Sequence, residues 1–297
     1  MMTLPSNPIL KKLGFSDNDR AVIIHADDIG MCQASVQAFA DLWGNETITS
    51  GAVMMPCSWA PAAAELCRKF PGIDMGVHAT LTSEWDTYRW GPLSTRDPGS
   101  GLLDPSGYFH QTSSEIQANA DPDSVLVELT LQIQRAHDWG IDVSHMDTHM
   151  GSILNPQLLP AYIQASFSQR IPPMLLRGNG GVFESMGASP EDAEEYVQLS
   201  SMMEEQGIPL IDHIRFMPLD QPENQVALAI NLLTELPPGI THFILHPSID
   251  SPEIRAIADD WQSRVSNYNT FMSKEVKDFL KNSGLQLIGY RQLRELL

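Results

Sequence analysis

Basic residues are scarce in this chain of 297: Lys and Arg number 18 against 37 Asp and Glu, a formal charge of −19 at pH 7. So acidic a surface repels phosphate backbones and anionic headgroups, so neither nucleic acid nor a membrane is an expected partner. Cysteine is nearly absent. Cys32, Cys57 and Cys67 are odd in number and lack C-x-x-C spacing, which excludes a disulfide framework and a zinc knuckle; reduced thiols suit the cytoplasm. No run approaches the roughly 20 apolar residues of a membrane span. Met1–Pro8 shows no charged segment followed by an apolar one, so no export signal is expected. A hydrophobic content of 42% with 19% charged residues argues against disorder and for a globular enzyme.

What the chain does have is alternation. Short apolar runs (Ala21–His25, Ala52–Met55, Met75–Thr80, Val143–Asp147, Met174–Arg177, His213–Met217, Thr241–Leu245 and Leu285–Tyr290) are separated by stretches with helical spacing. These stretches are Ala34–Trp43, Pro61–Lys69, Asp123–Trp139, Pro156–Phe167, Pro190–Gln206, Asn224–Leu236 and Lys274–Ser283. Asp123–Trp139 starts at an acidic cap and stops at Gly140, a sound helix signature. Strands alternating with helices mean a parallel sheet, open or closed. Asp27, Asp28, His78, His149, Arg177 and His246 all fall at or just past strand ends. Groups contributed by so many strands favour a barrel mouth over a single switch point. The expectation is one α/β domain over 1–297, a distorted TIM-like (β/α) barrel of seven or eight strands. A long aromatic-rich loop at about 84–114 interrupts the pattern. Trp85, Tyr88 and Trp90 within it can stack on sugar faces or simply cover the barrel edge.

The most informative segment is His25-Ala26-Asp27-Asp28, directly after the first apolar run. Adjacent buried acids repel unless a cation or a proton separates their roles. Strand alternation sends them in different directions, which frees one for a metal and the other as a base. His145, Asp147 and His149, at i, i+2 and i+4, would share one face and need a cation or a tight network there. Each feature alone has a plain reading: a helix cap for the acids, a core histidine at 78, a strand-end histidine before Pro247. Together they describe one carboxylate and two imidazoles with open positions, a mononuclear metallohydrolase. A second carboxylate beside the metal can take a proton from water, and His246 fits the acid that protonates a leaving group.

The His-Ala-Asp-Asp-Ile-Gly opening, Gly76-Val77-His78, Ser144-His145-Met146-Asp147-Thr148-His149, Leu176-Arg177 and Leu245-His246-Pro247 resemble, in order and spacing, the YdjC-like (ChbG/HpnK) carbohydrate deacetylases, relatives of the polysaccharide deacetylases. The resemblance implies metal-dependent removal of N-acetyl groups from an amino sugar or short oligosaccharide. It implies Asp28, His78 and His149 as metal ligands, Asp27 as base and His246 as acid, with Arg177 lining or orienting the site. His145 and Asp147 would orient the ligating imidazoles. The cofactor would be one divalent ion, Mg2+ by resemblance and Zn2+ or another transition metal by the chemistry of the donors. The partner would be an N-acetylated sugar, and a homodimer stays open. Many members carry another histidine after the Asp-x-His element, where this chain has Met150-Gly151; the departure bears on substrate and not on the ligands. Two alternatives stand beside this reading. One is a different mononuclear metallohydrolase for an amide or phosphoester; an amidohydrolase would open with His-x-His, against His25-x-Asp27 here. The other is an inactive sugar-binding relative, which would need neither Asp27 nor His246.

Overall fold

A computed structural model describes residues 5–178, 180–185 and 189–297; the first four residues, part of the stretch read for an export signal, lie outside them. Seven parallel strands form the sheet among the described residues: β1 (Arg20–Ile29), β2 (Ser50–Val53), β3 (Met75–Ala79), β4 (Val143–Thr148), β5 (His213–Phe216), β6 (Gly239–Leu245) and β7 (Gln286–Leu287). Their order is β4-β3-β2-β1-β6-β5. β1 pairs with β6 from Arg20 to Ala26 and with β2 only from His25 onward. The short β7 takes the remaining edge of β1 at Ala21 and Val22. Ala21, Val22, Ile23 and Ile24 are all fully buried, as a parallel strand covered on both faces requires.

No regular ladder joins β4 to β5. The expected strand Met174–Arg177 is an irregular segment instead, with single parallel bridges from Pro173 to Met146 and from Leu176 to Ile211. Pro172 and Pro173 have no N–H to give a ladder, so pairing cannot propagate there. The result is a distorted (β/α) barrel whose wall is completed by that segment.

Helices fill the connections near their expected bounds. Pro122–Asp138 is capped by the Asp121 side chain, which accepts from Ser124 N. The helix Trp261–Met272 was not anticipated, because the face it buries is mostly polar: Ser263, Arg264, Asn267 and Thr270 beside Phe271. Apolar periodicity cannot reveal such a helix. The 84–114 stretch is a folded cover. Thr82 bridges His110, Leu103 bridges Phe109, and Leu102, Phe109 and Trp90 are buried.

Candidate metal and catalytic site

β1 breaks its register between Ala26 and Ile29, and Asp28 adopts a left-handed φ of 61°. Asp tolerates this conformation better than most residues. The kink overturns the expected alternation. Instead of diverging, both carboxylates face one histidine: Asp27 Oδ2 lies 3.9 Å and Asp28 Oδ1 3.4 Å from His78 Nε2. His149, in the short 3-10 turn after β4, brings Nδ1 within 3.1 Å of Asp28 Oδ1. One ligand atom each from Asp28, His78 and His149 lies within 4.8 Å of the others, and all three residues are buried.

Hydrogen bonds on the outer side fix how these rings point. His78 Nδ1 bonds Asp147 Oδ1 at 2.8 Å, and His149 Nε2 bonds Glu84 Oε2 at 3.0 Å. An ionised carboxylate only accepts, so both outer nitrogens carry protons, and in the neutral rings the inner ones present lone pairs. Those inner nitrogens face the buried Asp28 Oδ1, for which the described residues offer no partner besides the two imidazoles. Three electron-rich atoms around one point require positive charge between them. In the protein alone, protons meet that need. Burial opposes charge on His149, but Glu84 and Asp28 outweigh it and hold its pKa up at about 9. His78 is likewise raised well above the usual range, Asp147 and Asp27 overcoming burial. A divalent cation fits the same donor set, with positions left open for water and substrate.

Asp28 Oδ2 receives Arg264 Nη1 at 2.6 Å. Burial alone would raise this acid, yet Arg264 and His149 keep its pKa well below the usual carboxylate range. Arg264 is held in turn by Asp260 at 2.6 Å, and its guanidinium lies 5.8 Å from the Trp85 ring centre. His246 follows β6 and is partly exposed; its Nε2 is 3.9 Å from Asp27 Oδ2 and its Nδ1 has no partner. Burial pushes its imidazole pKa down.

A second polar layer lies in the barrel interior beside the first, where branched aliphatic residues are usual. His25, His145 and His242 are fully buried there with Tyr290. His25 Nδ1 meets Asp27 Oδ1 at 2.6 Å, and His25 Nε2 meets His145 Nε2 at 2.9 Å. The Tyr290 hydroxyl lies 2.9 Å from His242 Nδ1. Burial, with His25 nearby, presses His242 down to about 3 and His145 well below its usual range.

Asp27, Asp28, His78, Asp147, His149 and His246 therefore converge, and His145 stands behind them. Arg177 does not join them. Its guanidinium is taken by Asp212 and Glu204, each at 2.7 Å, and by the Pro5 carbonyl, so the expectation that it lines or orients the site is corrected. It fastens the N-terminal segment and the helix Pro190–Glu205 to the start of β5. Trp90 is also corrected as a sugar platform: it is 5% exposed, donates to Thr82 O at 2.8 Å and packs 6.3 Å from His149. Tyr88 spends its hydroxyl on Met31 O, while Trp85 remains partly exposed above Arg264. Sequence reading missed Glu84, Arg264, His25 and His242. His25 and His242 had a usable signal, standing two residues before Asp27 and four before His246 on strands whose same-face positions repeat every second residue. Glu84 and Arg264 had none.

Over 97% of its length the chain is 30% identical to a carbohydrate deacetylase from Thermus thermophilus, 99% of which is covered. A carbohydrate deacetylase from Thermoanaerobacter pseudethanolicus is 22% identical over 92% of this chain and 99% of its own. A crystal structure from Enterococcus faecalis V583, of a protein provisionally described as cleaving cellobiose phosphate, shares the fold with a TM-score of 0.76 at 22% identity, covering 93% of this chain and 99% of that one. The model of the YdjC-like protein family matches residues 21–282, nearly all of the barrel, and the chain belongs to that family.

Proposed function

We propose that this protein hydrolyses the N-acetyl group of an amino sugar or short oligosaccharide with one divalent cation held by Asp28, His78 and His149. The observation that carries the reading is the convergence of His78 Nε2 and His149 Nδ1 on the buried Asp28 Oδ1. The named deacetylase relatives supply the reaction class. A bound cation would supply Lewis acidity, making water more acidic and polarising the acetyl carbonyl. Two imidazoles favour a borderline ion such as Zn2+, whereas Mg2+ prefers an all-oxygen shell.

The chain's own residues do the rest. Asp27, adjacent in sequence to the ligand Asp28 but not one itself, takes the proton of the attacking water. His246, 3.9 Å from Asp27 Oδ2, faces the same space and passes to the departing amine the proton that Asp27 takes from water. Asp147 and Glu84 hold the outer nitrogens of His78 and His149, so that the inner nitrogens are aimed at the centre. Trp85 offers an apolar face at the entrance. The buried thiols of Cys32, Cys57 and Cys67 support a cytoplasmic setting.

The test is acetate release from N-acetylated sugars, with metal content measured alongside. Asp28→Asn, His78→Ala and His149→Ala should lose metal and activity together. Asp27→Asn should keep its metal and lose about 100-fold or more in kcat. Metal-loaded Asp28→Asn at wild-type activity would sink the assignment.

A further inference from the structure

We propose that His25 is the positioning residue of Asp27, with its own proton placed by a buried relay through His145 to Ser144; this rests on the reading of Asp27 as the base. Asp27 Oδ1 is 2.6 Å from His25 Nδ1, whereas Oδ2 faces His78 Nε2 and His246 Nε2, each at 3.9 Å. One oxygen is held and the other is left toward the reacting space. An ionised carboxylate cannot donate, so His25 carries its proton on Nδ1. In the proposed relay His25 accepts on Nε2 from His145 Nε2, 2.9 Å away. His145 Nδ1 is thereby an acceptor, and Ser144 Oγ sits 2.9 Å from it with a hydroxyl to give.

The relay is rigid. Ser144, His145 and His25 have no exposed surface. The His145 ring lies over Gly76, where a Cβ would stand 2.4 Å from Cε1, so only glycine leaves room for it. On its other side Tyr290 stacks at 3.7 Å and 14°. With no water to compete, the Nδ1–H of His25 fixes the rotation of the Asp27 carboxyl. Misplacing a reacting group by about 1 Å can cost about 100-fold in rate.

Two amides separate positioning from packing. Asparagine places its amide nitrogen near the position of His Nδ1, and glutamine places its amide oxygen near Nε2, where it accepts from His145. His25→Asn keeps the donor to Asp27 and gives up His145; His25→Gln does the reverse. We expect His25→Gln to lower kcat about thirtyfold or more at unchanged KM and metal content, and His25→Asn to lose only about threefold. Equal losses in the two variants, or wild-type kcat in His25→Gln, overturn the proposal. Asp27→Asn is assayed beside them. If it stays active, the reading of the base has failed; if it is inactive while His25→Gln turns over normally, only the positioning role has failed. Should a melting curve show that His25→Gln does not fold, Ser144→Ala removes a single oxygen from the far end of the relay. It should lower kcat several-fold at constant KM, and unaltered kcat there overturns the relay.

Discussion

Arg264 Nη1 lies 2.6 Å from Asp28 Oδ2, joining residues 236 positions apart inside a site that solvent barely reaches. The pair divides the carboxylate. Oδ2 is neutralised by the guanidinium and Oδ1 faces His149 and His78. Removing the arginine strands a buried charge, which costs about 3–5 kcal/mol. Arg264→Leu should therefore destabilise the metal-free protein by that order, and less once metal neutralises Asp28 from the other side. Urea unfolding with and without chelator checks this; equal losses in both states would contradict it.

Glu84 reaches from the aromatic cover to His149 Nε2. Partners of this kind typically tune metal affinity about 10–100-fold. Glu84→Gln should weaken binding within that range while Asp86→Asn, next to it but exposed, leaves affinity unaltered. Titration of apo protein with Zn2+ measures both, and wild-type affinity in Glu84→Gln would free His149 from this control.

Buried neutral histidines should make the fold acid-sensitive. His242 has a pKa of about 3 when folded, against an ordinary value near 6.5 once unfolded. Between those limits the unfolded chain binds the extra proton, so stability falls as pH drops below about 6.5, by roughly 1.4 kcal/mol per pH unit for one such site. His242→Asn retains an acceptor for the Tyr290 hydroxyl but cannot titrate. Its unfolding free energy between pH 6 and 4 should fall less steeply by about one proton's worth. An identical slope would mean that His242 is not the group responsible.

The two tryptophans of the cover should part company. Trp90 is buried and hydrogen-bonded, and Trp90→Ala should cost about 3–5 kcal/mol of stability. Trp85 sits partly exposed over Arg264, so Trp85→Ala should raise KM for a saccharide at nearly constant kcat. A thermal melt and saturation kinetics on both variants distinguish the roles. Reversed effects would make Trp90 the sugar platform.

By itself, the sequence determined what local rules govern. Alternating apolar runs and capped helices prescribe a parallel (β/α) architecture, and the polar residues at strand ends mark where chemistry collects. Asp27, Asp28, His78, Asp147, His149 and His246 were all legible on that basis. Tertiary structure decided what depends on partners distant in sequence or on one backbone angle. The left-handed φ of Asp28 turned both acids toward His78, against the alternation that a regular strand imposes. Arg177, at a strand end like the others, was captured by Asp212 and Glu204 and never reached the site. Arg264 arrived on a helix that buries a polar face, which carries no apolar period to read. Periodicity and capping act over a few residues, whereas an ion pair is chosen by whichever opposite charge the packed barrel brings within reach, and only the folded chain makes that choice.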